Sequence, residues 1–469
     1  MTDITDNQFH ETFAKLRAKA PELARTTAAE RIEKLRRLYQ TVYDLRHDIS
    51  HVGKDELGMD GKMHLVPLKP ELEYICANLE NWMAREPVED VLALQGRKGY
   101  VHYEPKGVCL HIATWNSPVL ISISPVLSMI AAGNAVVIKP SEITPQSADL
   151  VVKIFEEAGL SDEVAVITGG AETAQELLKL PFNHICYVGN NRVGKLIMEA
   201  AAQHFAGVTL EMGGKNPAVV AADADIEDAA AKLAFSKMLI AGQVCLSPDY
   251  VLVHASVKDA FVSALTEKVE AFFNPTGAGA DKSADMARIV NERHTARIKG
   301  LIDDAVAKGA RIVHGGEINE SDRYVSPTII DGVTDDMEIA FEEIFGPVIL
   351  IQSFGDREEA AAEIAKRPKP LAAYFFTQDR ETADWYLNNT RAGTSAINNA
   401  VVQANVQSLP FGGCNHSGIG RLGGHAGFKE FSNGRAVVED ALNPKEGAPM
   451  QYPPFPPEAI MFVDMMLQP

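Results

Sequence analysis

Five cysteines occur in the 469 residues, and one stands in a different setting from the rest. Cys109 and Cys186 lie inside the apolar runs GVCLHI and HICYV, Cys76 in a helical pattern and Cys414 in a glycine-rich stretch. Cys245, in AGQVCLSPDYVLV, follows a helical segment and precedes a strand-like one, where a thiol can face a cleft. An ordinary thiol is only a few per cent thiolate at neutral pH, so a nucleophilic cysteine needs a base or a dipole beside it. Glu211, in TLEMGGKNP, ends a β-like run beside two glycines, and burial would lift it towards the range of a general base. Asn116, in ATWNSP, ends a strand-like run and offers an amide to a developing oxyanion. A core cysteine, a surface glutamate and a turn asparagine would have the same local sequences. None of the three decides alone.

Two places suit a nucleotide. In the run AVVIKPSE, Lys139 and Glu142 fall at the C-terminal end of a strand, the edge where open α/β sheets bind ligands. An ammonium donor and a carboxylate acceptor there suit ribose hydroxyls, although capping charges on a surface would read the same. HICYV is followed by GNNRVG, Gly189 to Gly194, and then a helix. Glycines at a strand-to-helix turn admit a ligand close to the backbone, and a helix N-terminus favours phosphate. GIGRLG, from Gly418 to Gly423, fits G-x-G-x-x-G but follows the loop-like PFGGCNHS, so it reads as a glycine-rich turn.

The elements that must position these residues alternate. Residues 1–85 read as amphipathic helices, with Leu16, Leu23, Ile32, Leu35, Leu38 and Val42 at helical spacing. From residue 99 strands and helices of about 10–15 residues alternate, as in βαβ units, with helices predicted at Val119 to Ala132, Thr144 to Ala158 and Arg192 to Ala202. The alternation restarts after Glu211 with PAVVAA, DYVLVHA, ARIVHG, VILIQSF and LAAYFFT, separated by helical segments such as 257–273 and 287–308. The fold class is therefore α/β, with two open, mostly parallel sheets in tandem joined near 211–216. A proline-rich tail (Pro444, Pro449, Pro453, Pro454, Pro456, Pro457) ends in AIMFVDMML, too short to span a bilayer and read as a docking segment.

Composition bounds the rest. Hydrophobic residues at 46% and charged residues at 23% describe a globular chain, of two or three domains at roughly 150 residues each. The net charge of −19 gives no basic footprint for nucleic acid. An odd, low cysteine count argues against a disulfide framework and for a reducing compartment. With no signal-like start, a cytoplasmic location is expected.

Taken together, PKGVCLHIATWNSP, GNAVVIKPSE, YVGNNRVG, TLEMGGKNP, GQVCLSPDY, EEIFGPV and LPFGGCNHSGIGRLGGHAGFKEFS resemble, in order, the motifs of the NAD(P)-dependent aldehyde dehydrogenase superfamily. Glu211 stands 34 residues before Cys245, as that family usually has it. RIVNERH and RYVSPTII resemble the class 3 and fatty-aldehyde branch. The resemblance implies oxidation of an aldehyde to a carboxylic acid with NAD, NADP being possible, and no catalytic metal. It implies a thiohemiacetal on Cys245, an oxyanion held by Asn116 and the Cys245 N–H, and thioester hydrolysis by water that Glu211 activates. Lys139, Ser141 and Glu142 would meet the adenine ribose, Gly189, Asn190 and Gly194 the pyrophosphate, and Glu343 and Phe345 the nicotinamide end. Trp115, Ser117, Val244 and Leu246 would line the substrate pocket. Two departures stand out: Asn190 replaces the usual serine of the phosphate turn, and Ser117 replaces a tyrosine, making the pocket wall smaller and more polar. Glu142 would favour NAD by repelling a 2′-phosphate, while Lys139 leaves tolerance for NADP. The implied regions are an NAD-binding domain (1–86 and 107–210), a catalytic domain (211–400) and a bridging region (87–106 and 401–469) that builds a homodimer. A CoA-acylating dehydrogenase is the alternative, which Glu211 argues against, and a non-catalytic protein of the same fold is the third reading.

Overall fold

A computed structural model describes residues 6–90, 97–440 and 453–469. The predicted tail prolines Pro444 and Pro449, and part of each stretch of the predicted bridging region, lie outside the described residues. The chain divides into two compact units, residues 1–83 with 104–433, and residues 84–103 with 434–469.

The larger unit opens with the helices Asp6–Leu23, Ala28–Asp44, Arg46–Leu57 and Leu68–Met83. The second starts at a capping box, in which Thr27 accepts from the Glu30 N–H and the Glu30 side chain accepts from the Thr27 N–H. Leu16, Leu23, Leu35, Leu38 and Val42 are buried as the periodicity predicts, but Ile32 is only half-buried. Its neighbour Arg31 takes the buried position, where its guanidinium donates to the Ala131 carbonyl at 2.9 Å and to the Thr26 hydroxyl at 2.9 Å.

Two mainly parallel sheets follow. The first orders its strands Gly418–Ile419, Gly207–Met212, His184–Gly189, Val108–Ile112, Ala135–Lys139, Val164–Val166, with only Gly418–Ile419 antiparallel. The second orders Arg311–His314, Thr328–Asp331, Val348–Phe354, Pro248–His254, Asn216–Val220, Ala372–Phe376, Thr394–Ile397, with only Arg311–His314 antiparallel. The runs VCLHI, AVVIK, NPAVV and AAYFF are buried along their whole length, because helices cover both faces of a parallel sheet. The crossover helices match their predicted spans closely, as Pro118–Ala132, Pro145–Glu157 and Asn191–Ala202. One prediction needs correcting. The segment 287–308 is helical only over Glu292–Ala307, because an extended Asn291 caps the helix, its side chain accepting from the His294 N–H, and the residues before it stay outside the helix.

The smaller unit holds most of a three-stranded sheet of Glu86–Val88, Lys98–Pro105 and Ser432–Glu439, with Lys98–Pro105 in the centre. It also holds the helix Pro457–Met466, whose Ile460, Met461, Val463 and Met465 stand exposed. Among the described residues no helix is long and apolar enough to cross a membrane.

Candidate active site

The position of Cys245 depends on an unusual turn. After the helix Ile226–Met238, Ile240 (φ 50°), Ala241 (φ 51°) and Gly242 (φ 72°) are left-handed in succession. Each non-glycine residue there costs roughly 1–2 kcal/mol, so its surroundings must hold the turn. Gln243, fully buried, does so: its amide donates to the carbonyls of Ile240 (2.9 Å) and Arg288 (3.0 Å) and accepts from the Val290 N–H (3.0 Å). Gly242 is also required for space, since a Cβ there would run into the Gly346 carbonyl. Asn216 then fixes the far side, donating to the carbonyls of Cys245 (2.8 Å) and Ser247 (3.0 Å). Cys245 is thus set at the N-terminal edge of the second sheet, only partly buried, with its own N–H and that of Leu246 directed at the thiol. Burial pushes that thiol up to about 12, with the nearby charges of Glu211 and Glu343 adding to the effect.

Asn116 and Glu211 arrive from the first sheet. Asn116 lies not at a strand end but in the loop between Val108–Ile112 and Pro118–Ala132, because the strand stops four residues earlier. Its Nδ2 donates to the Gln243 carbonyl at 2.8 Å, tying it to the loop that carries Cys245; an amide nitrogen carries a second hydrogen that an oxyanion could accept. Glu211 stands on Gly207–Met212 with both carboxyl oxygens buried and without a hydrogen-bond partner. Desolvation holds it well above the usual carboxylate range; the Glu430 charge raises it further, and Arg421 opposes. GIGRLG contributes here: Gly418 pairs with Glu211, so the stretch opens with a short antiparallel strand, Gly418–Ile419, beside Glu211 rather than a strand-to-helix phosphate turn.

Of the predicted pocket residues, Trp115 presents its ring to Phe345 (centroids 5.4 Å apart, near edge-on) and to His294 (5.1 Å). Val244 is partly buried and Ser117 buried. Leu246 sits in the hydrophobic core, its carbonyl accepting from the Tyr374 hydroxyl at 2.6 Å.

The residues present fit a dinucleotide. Lys139 closes the strand Ala135–Lys139 and its ammonium bonds the Glu142 carboxylate at 2.8 Å and the Pro140 carbonyl at 3.1 Å, with Glu142 half-exposed. Such a pair offers both a donor and an acceptor to a diol. Ser141 is buried and accepts from the Ile143 N–H. Gly189 ends its strand, and Gly194 packs the following helix on Met212. Asn190 is the cap of that helix: its Oδ1 accepts from the Val193 N–H at 3.0 Å. Across the cleft, Glu343 accepts from the Gly214 N–H at 3.1 Å, and Phe345 is left-handed (φ 49°). Burial lifts Glu343 to about 7, with Asp249 adding to it.

The aldehyde dehydrogenase family matches residues 1–437. This chain belongs to that family. A dimeric NADP-preferring aldehyde dehydrogenase of dog is 40% identical over 82% of this chain and 83% of its own length. The 4,4′-diaponeurosporen-aldehyde dehydrogenase of Staphylococcus aureus is 36% identical over 91% of this chain and 92% of its own. A substrate-bound structure of Staphylococcus aureus AldH superposes with a TM-score of 0.91 at 33% identity, covering 98% of this chain and 99% of that one. The protein is an NAD(P)-dependent aldehyde dehydrogenase of class 3 type, which oxidises aldehydes to acids.

In this dehydrogenase a group of residues that sequence reasoning passed over holds the Glu343–Phe345 loop. Asp249, fully buried, accepts from the Ile344 N–H (2.9 Å), Lys237 (2.8 Å) and Lys215 (3.4 Å). Lys215 also donates to the Glu342 carbonyl at 2.8 Å, and Arg297 donates to the carbonyls of Glu343 and Ile344. The only sign in the sequence is a charged residue at the head of the apolar run DYVLV and lysines in GGKNP and SKM. Removing one partner of a buried pair strands the other charge at about 3–5 kcal/mol. Asp249→Ala should therefore lower the thermal midpoint sharply and leave the Glu343–Phe345 loop loose, which, if that loop meets the cofactor, is read as a raised KM for NAD(P) in whatever fraction stays folded.

Proposed function

We propose that Cys245 is the nucleophile, Asn116 the oxyanion donor and Glu211 the base of a hydrolytic, non-acylating aldehyde dehydrogenase. The observation that carries this reading is the Glu211 carboxyl, buried without a partner and close enough to raise the Cys245 thiol. In this scheme the Cys245 thiol gives its proton to water as its sulfur bonds to the aldehyde carbon, the carbonyl π pair moves to oxygen, and Asn116 with the Cys245 N–H holds that oxyanion of the thiohemiacetal. NAD(P), when bound, supplies the hydride acceptor. The thioester left on Cys245 is attacked by water, Glu211 takes a water proton, and the carbon–sulfur bond breaks to release the acid. Lys139, Ser141 and Glu142 hold the adenine ribose, the turn of Gly189, Asn190 and Gly194 the pyrophosphate, and Glu343 with Phe345 the nicotinamide end. Trp115, Ser117 and Val244 line the aldehyde pocket, with Leu246 supporting it from the core.

The two sheets support reading 1–86 and 107–210 as the NAD-binding domain and 211–400 as the catalytic domain. Residues 401–433 belong to the larger unit, which supports a bridging region of 87–103 and 434–469. A dimeric relative supports a homodimer. Free cysteines throughout, and a mechanism that needs a free thiol, support a cytoplasmic location.

The test is NAD(P)H fluorescence across aliphatic, aromatic and polar aldehydes, with and without CoA. Turnover independent of CoA is expected, faster with NAD than with NADP because of Glu142. Strictly CoA-dependent product would overturn the hydrolytic reading.

A further inference from the structure

A second cleft, of about 530 Å³, opens on the larger unit and shares no residue with the site around Cys245. Two glycines shape it. After the edge strand Arg311–His314, Gly315 (φ 72°) and Gly316 (φ 97°) are left-handed in succession, and a Cβ on Gly315 would strike the Pro327 carbonyl. The chain so turned enters a hairpin of Ile318–Asn319 and Tyr324–Val325, which forms one wall. The end of the helix Lys258–Phe273 and the loop after it supply another. Four carboxylates line the cleft, Glu270, Asp281, Glu317 and Asp322. Glu270 accepts from the Asn274 amide at 2.7 Å and lies 3.2 Å from His314. Asp281 pairs with Lys282 at 2.8 Å and Asp322 with Arg288 at 3.1 Å. Glu317 is exposed and forms no ion pair among the described residues. An acidic rim alone would be a solvated surface. The Tyr324 phenol sets this one apart: the residue is only 8% exposed, yet its hydroxyl makes no hydrogen bond among the described residues. Burial pushes the phenol up to about 12, and the charges of Asp281, Glu317 and Glu270 push the same way. All three are walls of the cleft, so the hydroxyl faces into it. Carboxylates can supply it no hydrogen; the missing donor must come from a ligand.

We propose that this cleft binds a linear aliphatic polyamine, with one ammonium shared by the Glu317 carboxylate and the Tyr324 hydroxyl and others met by Glu270 and Asp281. Charge selects a cation, and the spacing of the carboxylates selects its shape. Among the described residues no three carboxylates, imidazoles or thiols converge to hold a metal ion. The charge of the ligand must therefore be spread along a chain rather than held at a point. Between the carboxylates the walls are apolar, from Val269, Ala280 and Pro327, and suit the methylenes that separate ammonium groups. The volume is that of a small-molecule pocket. The Tyr324 ring already takes one cation: the Arg288 guanidinium lies over it, 5.3 Å from its centroid. A bound ammonium would meet at the hydroxyl end of that ring the same chemistry that Arg288 meets at its face.

The experiment titrates the full chain with spermidine by calorimetry, for wild type, Tyr324→Phe, Glu317→Gln and, as a control far along the chain, the exposed Glu33→Gln. Magnesium and butylamine serve as point-charge and single-charge probes. Saturable binding of spermidine near one per chain is expected, weakening as salt rises. Tyr324→Phe keeps the ring and removes only the hydroxyl; it should weaken binding roughly tenfold, and Glu317→Gln roughly fivefold. Glu33→Gln should bind as wild type does. Turnover of aldehyde and the thermal midpoint should be unchanged in all three variants, which shows that they fold. Binding that does not saturate, or that Glu33→Gln weakens as much as Glu317→Gln does, would mean diffuse attraction to a chain of net charge −19 and overturn the site. Wild-type affinity in both Tyr324→Phe and Glu317→Gln would overturn it too. Displacement of spermidine by NAD would place it in the cofactor cleft instead, and displacement by an equal concentration of magnesium would overturn the extended ligand.

Discussion

Cys245→Ala should abolish NADH formation, with a loss of roughly 10⁴-fold or more, equivalent to about 5.5 kcal/mol of transition-state stabilisation. Loss of hydride from a free aldehyde would leave an acylium cation, whereas loss from the oxyanion of a thiohemiacetal leaves a neutral thioester. Without the sulfur, no such intermediate forms. The competing thiols are poor substitutes: Cys109 and Cys186 are buried in the sheet, and burial pushes Cys109 up to about 12. Cofactor affinity should survive, because Lys139, Glu142 and Glu343 are held by bonds that do not involve Cys245. The measurement is a cofactor titration followed by a progress curve with aldehyde. Substantial turnover by the alanine variant would assign the nucleophile elsewhere.

Glu211→Gln should separate the two halves of the reaction. The first turnover needs the thiol and the oxyanion donors, so a burst of NADH close to one per active site is expected. The steady state should then fall by roughly 10²–10⁴-fold, the usual contribution of a positioned base. A variant with a full steady-state rate would eliminate Glu211 as the base. The wild type should show the matching pH dependence. Since burial raises the Glu211 carboxyl well above its ordinary value, the base form is scarce at low pH and thioester hydrolysis should accelerate as pH rises. Stability runs the other way. A carboxyl raised in the folded state contributes stability that is fully present below its unfolded pKa and is lost as pH rises through its folded value. Glutamine cannot ionise, so the variant should be more stable than wild type at alkaline pH while turning over more slowly.

Much of this was legible in the chain because the signals are local. Parallel strands covered on both faces must be continuously apolar, and VCLHI, AVVIK, NPAVV and AAYFF are. Several short motifs in a fixed order identified the chemistry, although Cys245, Glu211 and Asn116 were each ambiguous alone. What escaped was long-range or depended on side-chain geometry. Arg31 outcompetes Ile32 for a buried position because the Ala131 carbonyl, a hundred residues away, completes its bonds. Asn190 replaced an expected phosphate donor in the sequence, and the structure uses it as a helix cap. Gln243 looks like an ordinary polar residue and is the buried clasp of the turn before Cys245.

The cysteines show the division most plainly. By itself the sequence determined that one thiol of five lies between a helix and a strand, that a glutamate precedes it at the family spacing, and that two α/β sheets carry them. Only the tertiary structure decided how that thiol is held: a left-handed turn that no propensity favours, clasped by Gln243 and packed on Gly346. It alone placed Asp249 under the Glu343–Phe345 loop and joined Lys106, His184, Thr209 and Glu430 through hydrogen bonds. The reason is physical. Periodicity and turn chemistry act over a few residues, whereas burial of a charge and completion of its hydrogen bonds are settled by atoms brought together from distant parts of the chain.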